Sequence, residues 1–399
     1  MRAEKRQKFR WPLMHDAIST CDKAALVDFI NTKAVRFTNG QKVLEFENLW
    51  SKWLGVSHSI FVNSGSSAND ITMMVIAEMF GPGEIIVPPL TWVSDISAVI
   101  RAGHKPVFAD INSQSLALDI GEVRKLISKK TRAIFLTHVL GLNGLNDEFL
   151  ELVNFHEIPL IEDVCESHGA KFGHKKLGTF GLASNFSFYF AHHMTTIEGG
   201  MISTNDENFY DIARMMRSHG LVRESIFEKT RNYYAEKYPD LNQDFVFAYP
   251  SHNMRSTELN AVIGISQLNN LDDKIKKRSE NFEYFLSNLD STIFETNLKI
   301  EGNSNYALTL ILREKSILIR DRIEDILRLE GVEFRRGMAG GGNQLRQPYL
   351  KNIAKGLDLG SFPVVEHCHF FSWYIGNNES ITKSQIDKLC EVLSAPNLR

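Results

Sequence analysis

The stretch Ser184-Asn185-Phe186-Ser187-Phe188-Tyr189-Phe190-Ala191-His192-His193-Met194-Thr195-Thr196-Ile197-Glu198-Gly199-Gly200-Met201 decides the fold. Phe186, Phe188 and Phe190 recur every second residue, which predicts one buried side of a strand. The chain leaves that strand through His192, His193 and Met194 and closes on Glu198-Gly199-Gly200. Two adjacent glycines open backbone conformations closed to other residues. A buried strand that hands polar side chains to a turn positions chemistry at the edge of an α/β sheet. Taken alone, His192 reads equally well as a satisfied core or surface histidine, so the flanking segments carry the argument.

Upstream, apolar runs at 59–63, 84–87, 106–110, 132–138 and 159–163 predict strands. Helical spacing fills the gaps: 42–54, with Val43, Phe46, Trp50, Trp53 and Leu54 on one side, then 119–128 and 147–155, with 206–219 following the opening stretch. Strands alternating with helices at this spacing predict a mostly parallel sheet. Asp163 ends an apolar strand where such sheets bind ligands. It reads equally as a cap for the next turn. Strand alternation sends Glu162 to the opposite face.

Two further segments point to a ligand. Ser64-Gly65-Ser66-Ser67-Ala68-Asn69 joins a strand to a helix. Gly65 lets the backbone approach a ligand closely, the free N–H groups and positive end of the helix favour a phosphate, and Ser66 and Ser67 add hydroxyl donors. A simple serine N-cap is the alternative. Trp92 stands at a strand exit, where an aromatic ring serves either as core or as a stacking surface.

Composition narrows the classes. At 399 residues the chain is long enough for about two domains. Hydrophobic residues at 43% and charged residues at 23% are ordinary for a soluble enzyme. A net charge of −3 gives no footprint for nucleic acid. Arg2, Lys5, Arg6, Lys8 and Arg10 make a basic N-terminal arm, either solvated or packed on a partner subunit. It lacks the apolar core of a signal peptide, and no apolar run reaches membrane-spanning length, so a cytoplasmic location with no membrane partner is expected. Cys21, Cys165, Cys368 and Cys390 lie far apart, without zinc or redox spacing; reduced thiols are expected. No phosphate loop of the Gly-x-x-x-x-Gly-Lys-Ser/Thr type is present, which argues against NTP hydrolysis.

Downstream, 221–249 is charged and aromatic without clear periodicity. It is expected to be an inserted loop, either covering the site or solvated. A helix should run from Thr257 toward Leu268 and a second to about Leu289. A strand at 306–312, a helix at 317–329 and a strand at 332–335 suggest a smaller α/β unit. Gly340, Gly341 and Gly342 read as a flexible loop. His367 and His369 would share one strand face at metal-ligand spacing, but no carboxylate pattern accompanies them, and no metal is expected.

Together these segments resemble the nucleotide-sugar aminotransferase and dehydratase family of fold-type-I pyridoxal phosphate (PLP) enzymes. The likeness runs from about Lys42 to Leu393, with its motifs in order. In that family the opening stretch reads Phe-Ser-Phe-His-Pro-Thr-Lys, followed by a Thr-rich turn and Glu-Gly-Gly, and the lysine forms an imine with PLP. Laying Phe186-Ser187-Phe188 on that pattern puts His192 at the lysine position, where an imidazole cannot form an imine. This departure is similar to the sugar 3-dehydratase branch, which holds pyridoxamine phosphate (PMP) without a covalent bond. The segment 371–378, with Ile375-Gly376-Asn377-Asn378, resembles that branch's C-terminal signature. The clustered cysteines of the iron–sulphur sub-branch are absent.

The resemblance implies an aspartate-aminotransferase-like α/β fold: a large, mostly parallel sheet domain at 36–254 that binds the cofactor, and a smaller C-terminal α/β domain formed by 255–399 with 1–35 as lead-in and arm. It implies a homodimer with sites at the interface. His192 and Asp163 would be catalytic, Asp163 pairing with the pyridine nitrogen to keep it protonated. Gly65, Ser66, Ser67 and Ser187 would hold the phosphate. Trp92 would stack on the ring, worth on the order of 2–3 kcal/mol for roughly 100 Å² of ring face. Glu166 would lie near the ring hydroxyl, and Asn253 would reach the phosphate of the neighbouring subunit. His252 replaces the family's common Tyr.

The implied reaction is C3 dehydration of a nucleotide-linked 4-keto-6-deoxyhexose in deoxysugar and O-antigen biosynthesis. Overall likeness favours GDP as the nucleotide, and glutamate would regenerate PMP. His192 would act as base and then acid, because an imidazole titrates near neutrality. Two alternatives stay open. One is a sugar aminotransferase that has lost or relocated its lysine, for which Lys171, Lys175 and Lys176 are the nearby residues, in a context that reads as a surface turn. The other is a non-catalytic regulatory protein on the same fold.

Overall fold

A computed structural model describes residues 10–33 and 36–394. The basic arm, apart from Arg10, lies outside the described residues. The chain runs through α1 (Thr20–Ile30), α2 (Gln41–Leu54), β1 (His58–Val62), α3 (Gly65–Phe80), β2 (Glu84–Val87), α4 (Val93–Arg101), β3 (Lys105–Phe108), α5 (Ile120–Leu126), β4 (Thr131–Thr137), α6 (Asp147–Phe155) and β5 (Leu160–Asp163). A small hairpin follows, β6 (Lys171–Phe172) and β7 (Lys175–Lys176), then β8 (Ala183–Ser187) and β9 (Gly200–Thr204). These strands form a seven-stranded sheet in the order β1-β9-β8-β5-β4-β2-β3, the hairpin excepted. Only β9 runs against the rest, pairing antiparallel with β1 and β8.

Both faces of the sheet are covered, which explains its near-continuous apolar strands. Ile60, Val62, Ile85, Val87, Phe135 and Ile161 point into one core. Phe61, Ile86, Ile134, Leu136, Leu160 and Phe186 point into the other. α2 has only Gly40 at its N-cap, with no side-chain bond of its own. Glu258 caps it instead, accepting from the backbone N–H of Gly40, Lys42 and Val43 at 2.9–3.0 Å. A buried Arg217–Glu47 pair at 2.6 Å ties the helix to α7 (Glu207–Arg217), and Glu47 Oε1 also accepts from Phe61 N at 2.8 Å.

Beyond the sheet come α8 (Glu228–Lys237), α9 (Glu258–Leu268), α10 (Leu271–Asn288), β10 (Ala307–Ile311), α11 (Ile317–Leu329), β11 (Phe334–Arg336), α12 (Pro363–Phe371), β12 (Ser372–Gly376) and α13 (Lys383–Val392). β10, β12 and β11 form an antiparallel three-stranded sheet. The lead-in packs on it: Trp11 bridges Val332, and its Nε1 donates to Gly376 O at 2.9 Å. No described helix is long and apolar enough to cross a membrane.

Several expectations need correcting. The strand of the opening stretch stops at Ser187, so Phe190 lies in the turn beyond it and is only half-buried. Neither Gly199 nor Gly200 adopts a left-handed backbone; Ile197 does, at φ 72°. Close approach is what demands the two glycines. A Cβ at Gly199 would meet Thr196 Oγ1 at 2.2 Å, and one at Gly200 would meet Ser64 O at 2.3 Å. His367 and His369 stand on α12, not on a strand. Both rings face backbone, His367 Nε2 meeting Leu312 O at 2.6 Å and His369 Nδ1 accepting from Asn343 N at 3.2 Å.

Gly340, Gly341 and Gly342 are all left-handed and form an ordered 3-10 turn packed on Thr91 and His369. The 221–249 segment is not a plain loop either. It contains α8 and two 3-10 turns, anchored where Asp211 on α7 accepts from Ser225 Oγ at 2.8 Å.

Candidate active site

Parallel strands deliver their C-terminal ends to one edge of the sheet, and the turns beyond them form a concave rim. At that edge lies a cavity of about 400 Å³. β1 leads to Ser64, Gly65 and Ser66, β4 ends on Thr137, β5 on Asp163, and β8 on Ser187; all of these line the cavity. Trp92 follows β2 as the N-cap of α4, lines the same space and is 52% exposed. The far wall comes from Leu13 and Met14 of the lead-in, and from Tyr306, Arg335 and Tyr374 of the smaller sheet. The predicted residues Gly65, Ser66, Trp92, Asp163, Glu166, Ser187 and His192 are therefore brought together.

Two predicted residues are not. Ser67 does not line the cavity; its hydroxyl donates to Asn63 Oδ1 at 2.6 Å, and its N–H donates to the N-cap Ser64 Oγ at 3.1 Å. Ser64 takes its place in the lining, because the first turn of a helix presents N-cap and N2 groups together. Asn253 is exposed and lines nothing in its own chain; its Oδ1 accepts from Arg255 N at 3.2 Å. No residue of 221–249 lines the cavity of its own chain.

The phosphate-sized end is tightly built. A Cβ at Gly65 would meet Ser187 Cβ at 2.6 Å and Cys165 Sγ at 3.1 Å. Only a residue without a side chain lets the start of α3 lie this close to β8. α3 spans 16 residues, and with Ser67 N–H taken by the N-cap Ser64, the N–H groups of Gly65 and Ser66 are left at its N-terminus beside the cavity.

Asp163 is 4% exposed, and its Oδ1 accepts from Cys165 N at 2.8 Å. Its Oδ2 accepts from Asn69 Nδ2 at 3.3 Å. Glu162 points the other way, as alternation requires. There it accepts from the backbone N–H of Gly178, Phe180 and Gly181 at 2.8–2.9 Å, and meets His138 Nε2 at 3.2 Å. Glu166 accepts from Leu140 N at 3.0 Å. Burial pushes its carboxyl up to about 7, and the nearby Asp163 adds to that. Burial raises the Cys165 thiol well above its ordinary range, with Asp163 and Asp95 adding to it, so Cys165 stays protonated.

His192 sits in the turn after β8, where its N–H donates to Tyr189 O at 3.0 Å. Its ring lies beside Tyr306, and its Nδ1 has no protein partner. Burial, helped by the Arg278 guanidinium, pushes it down to about 3. This corrects the expectation of an imidazole titrating near neutrality: in the cofactor-free chain the ring is neutral at pH 7. His193 instead faces inward, its Nε2 meeting Ser304 O at 2.9 Å.

Among the described residues no lysine lines the cavity. Lys171, Lys175 and Lys176 lie on the β6–β7 hairpin, and Lys176 is bound to Trp53 O, with its ammonium 4.3 Å from the Trp53 ring centre. Lining or supporting residues that the sequence did not single out include Thr137, Tyr306, Arg335, Tyr374, Asn69 and Asp95. Asp95 had one visible signal, an acid in the first turn after Trp92, but that position is explained by the helix dipole alone.

The chain matches the DegT/DnrJ/EryC1/StrS aminotransferase family over residues 19–392. It is 30% identical over 397 residues to a GDP-4-keto-6-deoxy-D-mannose 3-dehydratase of Escherichia coli O55:H7, covering 96% of this chain and 99% of that one. It is equally 30% identical, over 359 residues, to a GDP-perosamine synthase of Caulobacter vibrioides, covering 89% and 90%. A crystal structure of GDP-4-keto-6-deoxymannose-3-dehydratase with a trapped PLP-glutamate geminal diamine superposes with a TM-score of 0.85 at 28% identity, covering 96% of this chain and 100% of that one. The aminotransferase-like α/β fold expected from the sequence is thereby established.

Proposed function

The chain belongs to the DegT/DnrJ/EryC1/StrS aminotransferase family, and on that premise we propose that it is a PMP/PLP-dependent 3-dehydratase of a nucleotide-linked 4-keto-6-deoxyhexose. The observation that carries the reading is His192: an imidazole at the cavity wall where the family's lysine would stand, its Nδ1 without a partner, with no lysine among the described residues of the lining.

The residues fit a pyridine ring with a phosphate arm. Gly65, Ser64 and Ser66 with the N-terminus of α3 suit the phosphate, Ser187 flanks it, Trp92 offers a stacking face and Asp163 an acceptor for the ring nitrogen. When bound, the cofactor supplies an amine for the substrate ketone and a ring that takes up an electron pair. Asp163 keeps the ring nitrogen protonated. His192 would take a proton as a base and return it as an acid to the departing C3 hydroxyl. Tyr306 and Tyr374 help exclude water from the turn that carries His192.

The E. coli relative and the dehydratase structures support GDP-4-keto-6-deoxymannose as substrate and glutamate as amino donor. A homodimer, a cytoplasmic location and a division at 36–254 against 1–35 with 255–399 complete the proposal; the seating of Trp11 beside Val332 supports grouping the lead-in with the C-terminal unit. An aminotransferase is the second reading, favoured by the equal identity to GDP-perosamine synthase. Borohydride reduction of the PLP-loaded chain followed by intact mass measurement separates the two. The dehydratase reading expects no covalent adduct; a reduced lysine adduct rejects it.

A further inference from the structure

Asp95 is 1% exposed and does not line the cavity. Its Oδ2 contacts the hydroxyls of Thr91 and Thr137, the latter at 2.8 Å. Those two hydroxyls contact each other at 2.8 Å. Three oxygens thus stand in mutual hydrogen-bond contact, away from solvent. Three contacts need three hydrogens, and the hydroxyls carry one each. An ionised Asp95 would leave one oxygen pair facing across the ring with no hydrogen between them. A protonated Asp95 closes it, donating to one threonine and accepting from the other.

Its other oxygen faces the site. Asp95 Oδ1 accepts from Asn69 Nδ2 at 2.8 Å, and the same nitrogen reaches Asp163 Oδ2 at 3.3 Å and Ser94 Oγ at 3.1 Å. The amide's orientation is fixed from behind: Asn69 Oδ1 accepts from Asn185 Nδ2 at 2.8 Å, and Asn185 Oδ1 accepts from Thr72 Oγ1 at 2.8 Å. Asn69 therefore presents N–H groups to both carboxyls. Two carboxyls sharing one buried donor do not both ionise. Asp163 opens onto the cavity and Asp95 does not, so Asp163 is the carboxyl that a cationic ring in the cavity would meet.

We infer that Asp95 is a proton-holding positioning residue: kept neutral by the Thr91–Thr137 hydroxyl pair, it fixes Asn69 against Asp163 and leaves Asp163 as the single anion facing the cofactor's ring nitrogen. The inference rests on the reading of the cavity as a PLP/PMP site. The titratable groups ranged around Asp95 are Asp163, Cys165 and Tyr349, and all three are acids. Burial, and then the Asp163 charge, push its carboxyl well above the usual range, in the direction that the hydrogen count requires. An ionised Asp95 would instead drive Asp163 to take up a proton, and the ring nitrogen would lose its acceptor.

Infrared spectra of the cofactor-free chain at pH 9, where Glu166 at about 7 is ionised, test the proton directly. The wild type should show the C=O stretch of a protonated carboxyl, and Asp95→Asn should lose it. Thr137→Val should shift the band by removing one partner of the proton, which keeps the test decisive if Asp95→Asn does not fold. No band in the wild type, a band that survives Asp95→Asn, or one indifferent to Thr137→Val overturns the inference. PLP binding at pH 7.5 tests the role. The neutral isostere Asp95→Asn should bind within about threefold of wild type, while Asp163→Asn, losing a charged hydrogen bond, should weaken binding roughly tenfold or more. An Asp95→Asn loss as large as that of Asp163→Asn means that Asp95 is itself the anion, and the inference fails. A wild type that binds no PLP overturns the cavity reading and Asp95's role in it, and an intact infrared band marks that failure as distinct from a misplaced proton.

Discussion

The ring of His192 lies 5.4 Å from that of Tyr306, centroid to centroid, at an interplanar angle of 36°. Tyr306 begins the approach to β10 of the smaller sheet, whereas His192 leaves β8 of the large one. The contact places the imidazole at the seam between the two sheets, in the lining of the cavity. His193, one residue on, is spent on the Ser304 carbonyl. The doublet thus divides: His192 lines the cavity and His193 anchors the turn.

His192→Asn should still bind PMP but lose dehydration by about 10²- to 10⁴-fold, the range for a general acid–base residue. Stopped-assay ammonia release, together with PMP fluorescence titration, measures both. Near-normal turnover would remove His192 from the mechanism.

Stability should respond to pH through two groups of opposite sign. Glu166 is raised from 4.5 to about 7, so between those values the folded chain keeps a proton that the unfolded chain has released, and stability falls as pH rises. His192 is lowered from 6.5 to about 3, so the unfolded chain binds a proton that the folded chain refuses, and stability falls as pH drops through that window. Urea melts of the cofactor-free protein should find Glu166→Gln more stable, relative to wild type, at pH 7.5 than at pH 4.5. His192→Asn should show the reverse. Parallel pH profiles for wild type and variants would contradict both assignments.

Gly65→Ala should cost cofactor affinity. The added Cβ would sit 2.6 Å from Ser187 Cβ, and the start of α3 must move away from β8. Overpacking of this kind costs about 1–3 kcal/mol. Thermal melting and PLP titration should fall together; unchanged PLP affinity would show that the close approach is not part of the phosphate seat.

Much of this site was legible in the sequence because strand ends are. Asp163 and Ser187 terminate apolar runs, and the parallel sheet inferred from alternation puts such ends on one edge. Trp92 and Gly65 follow from the same logic. What escaped depends on packing at long range. Asp95 and Asn69 are 26 residues apart, and both are distant in sequence from Asp163; no periodicity marks a shared amide. Ser67 was indistinguishable from Ser66 until the N-cap bonds of Ser64 turned one away. The titration of His192 was misjudged because burial and Arg278, 86 residues downstream by numbering, are invisible to composition.

Asn253 faces outward, so its proposed role needs a second chain. A His192→Asn chain mixed with an Asn253→Ala chain should form heterodimers, verified by native mass spectrometry, in which one site carries both defects and the other neither. Activity should reappear at limiting PMP, where one hydrogen bond to a charged group is worth about 1.5–3 kcal/mol, roughly ten- to hundredfold. Verified heterodimers without recovery would leave Asn253 as a residue of its own chain's turn before α9.

The most direct test of the account is the product itself. Purified chain is incubated with PMP, glutamate and GDP-4-keto-6-deoxymannose, and the nucleotide sugar is read by NMR and mass spectrometry. The account predicts a product that has lost the C3 oxygen and retains a C4 ketone, with ammonia released. A product that keeps its C3 hydroxyl and carries an amine at C4 would contradict it and make the chain an aminotransferase.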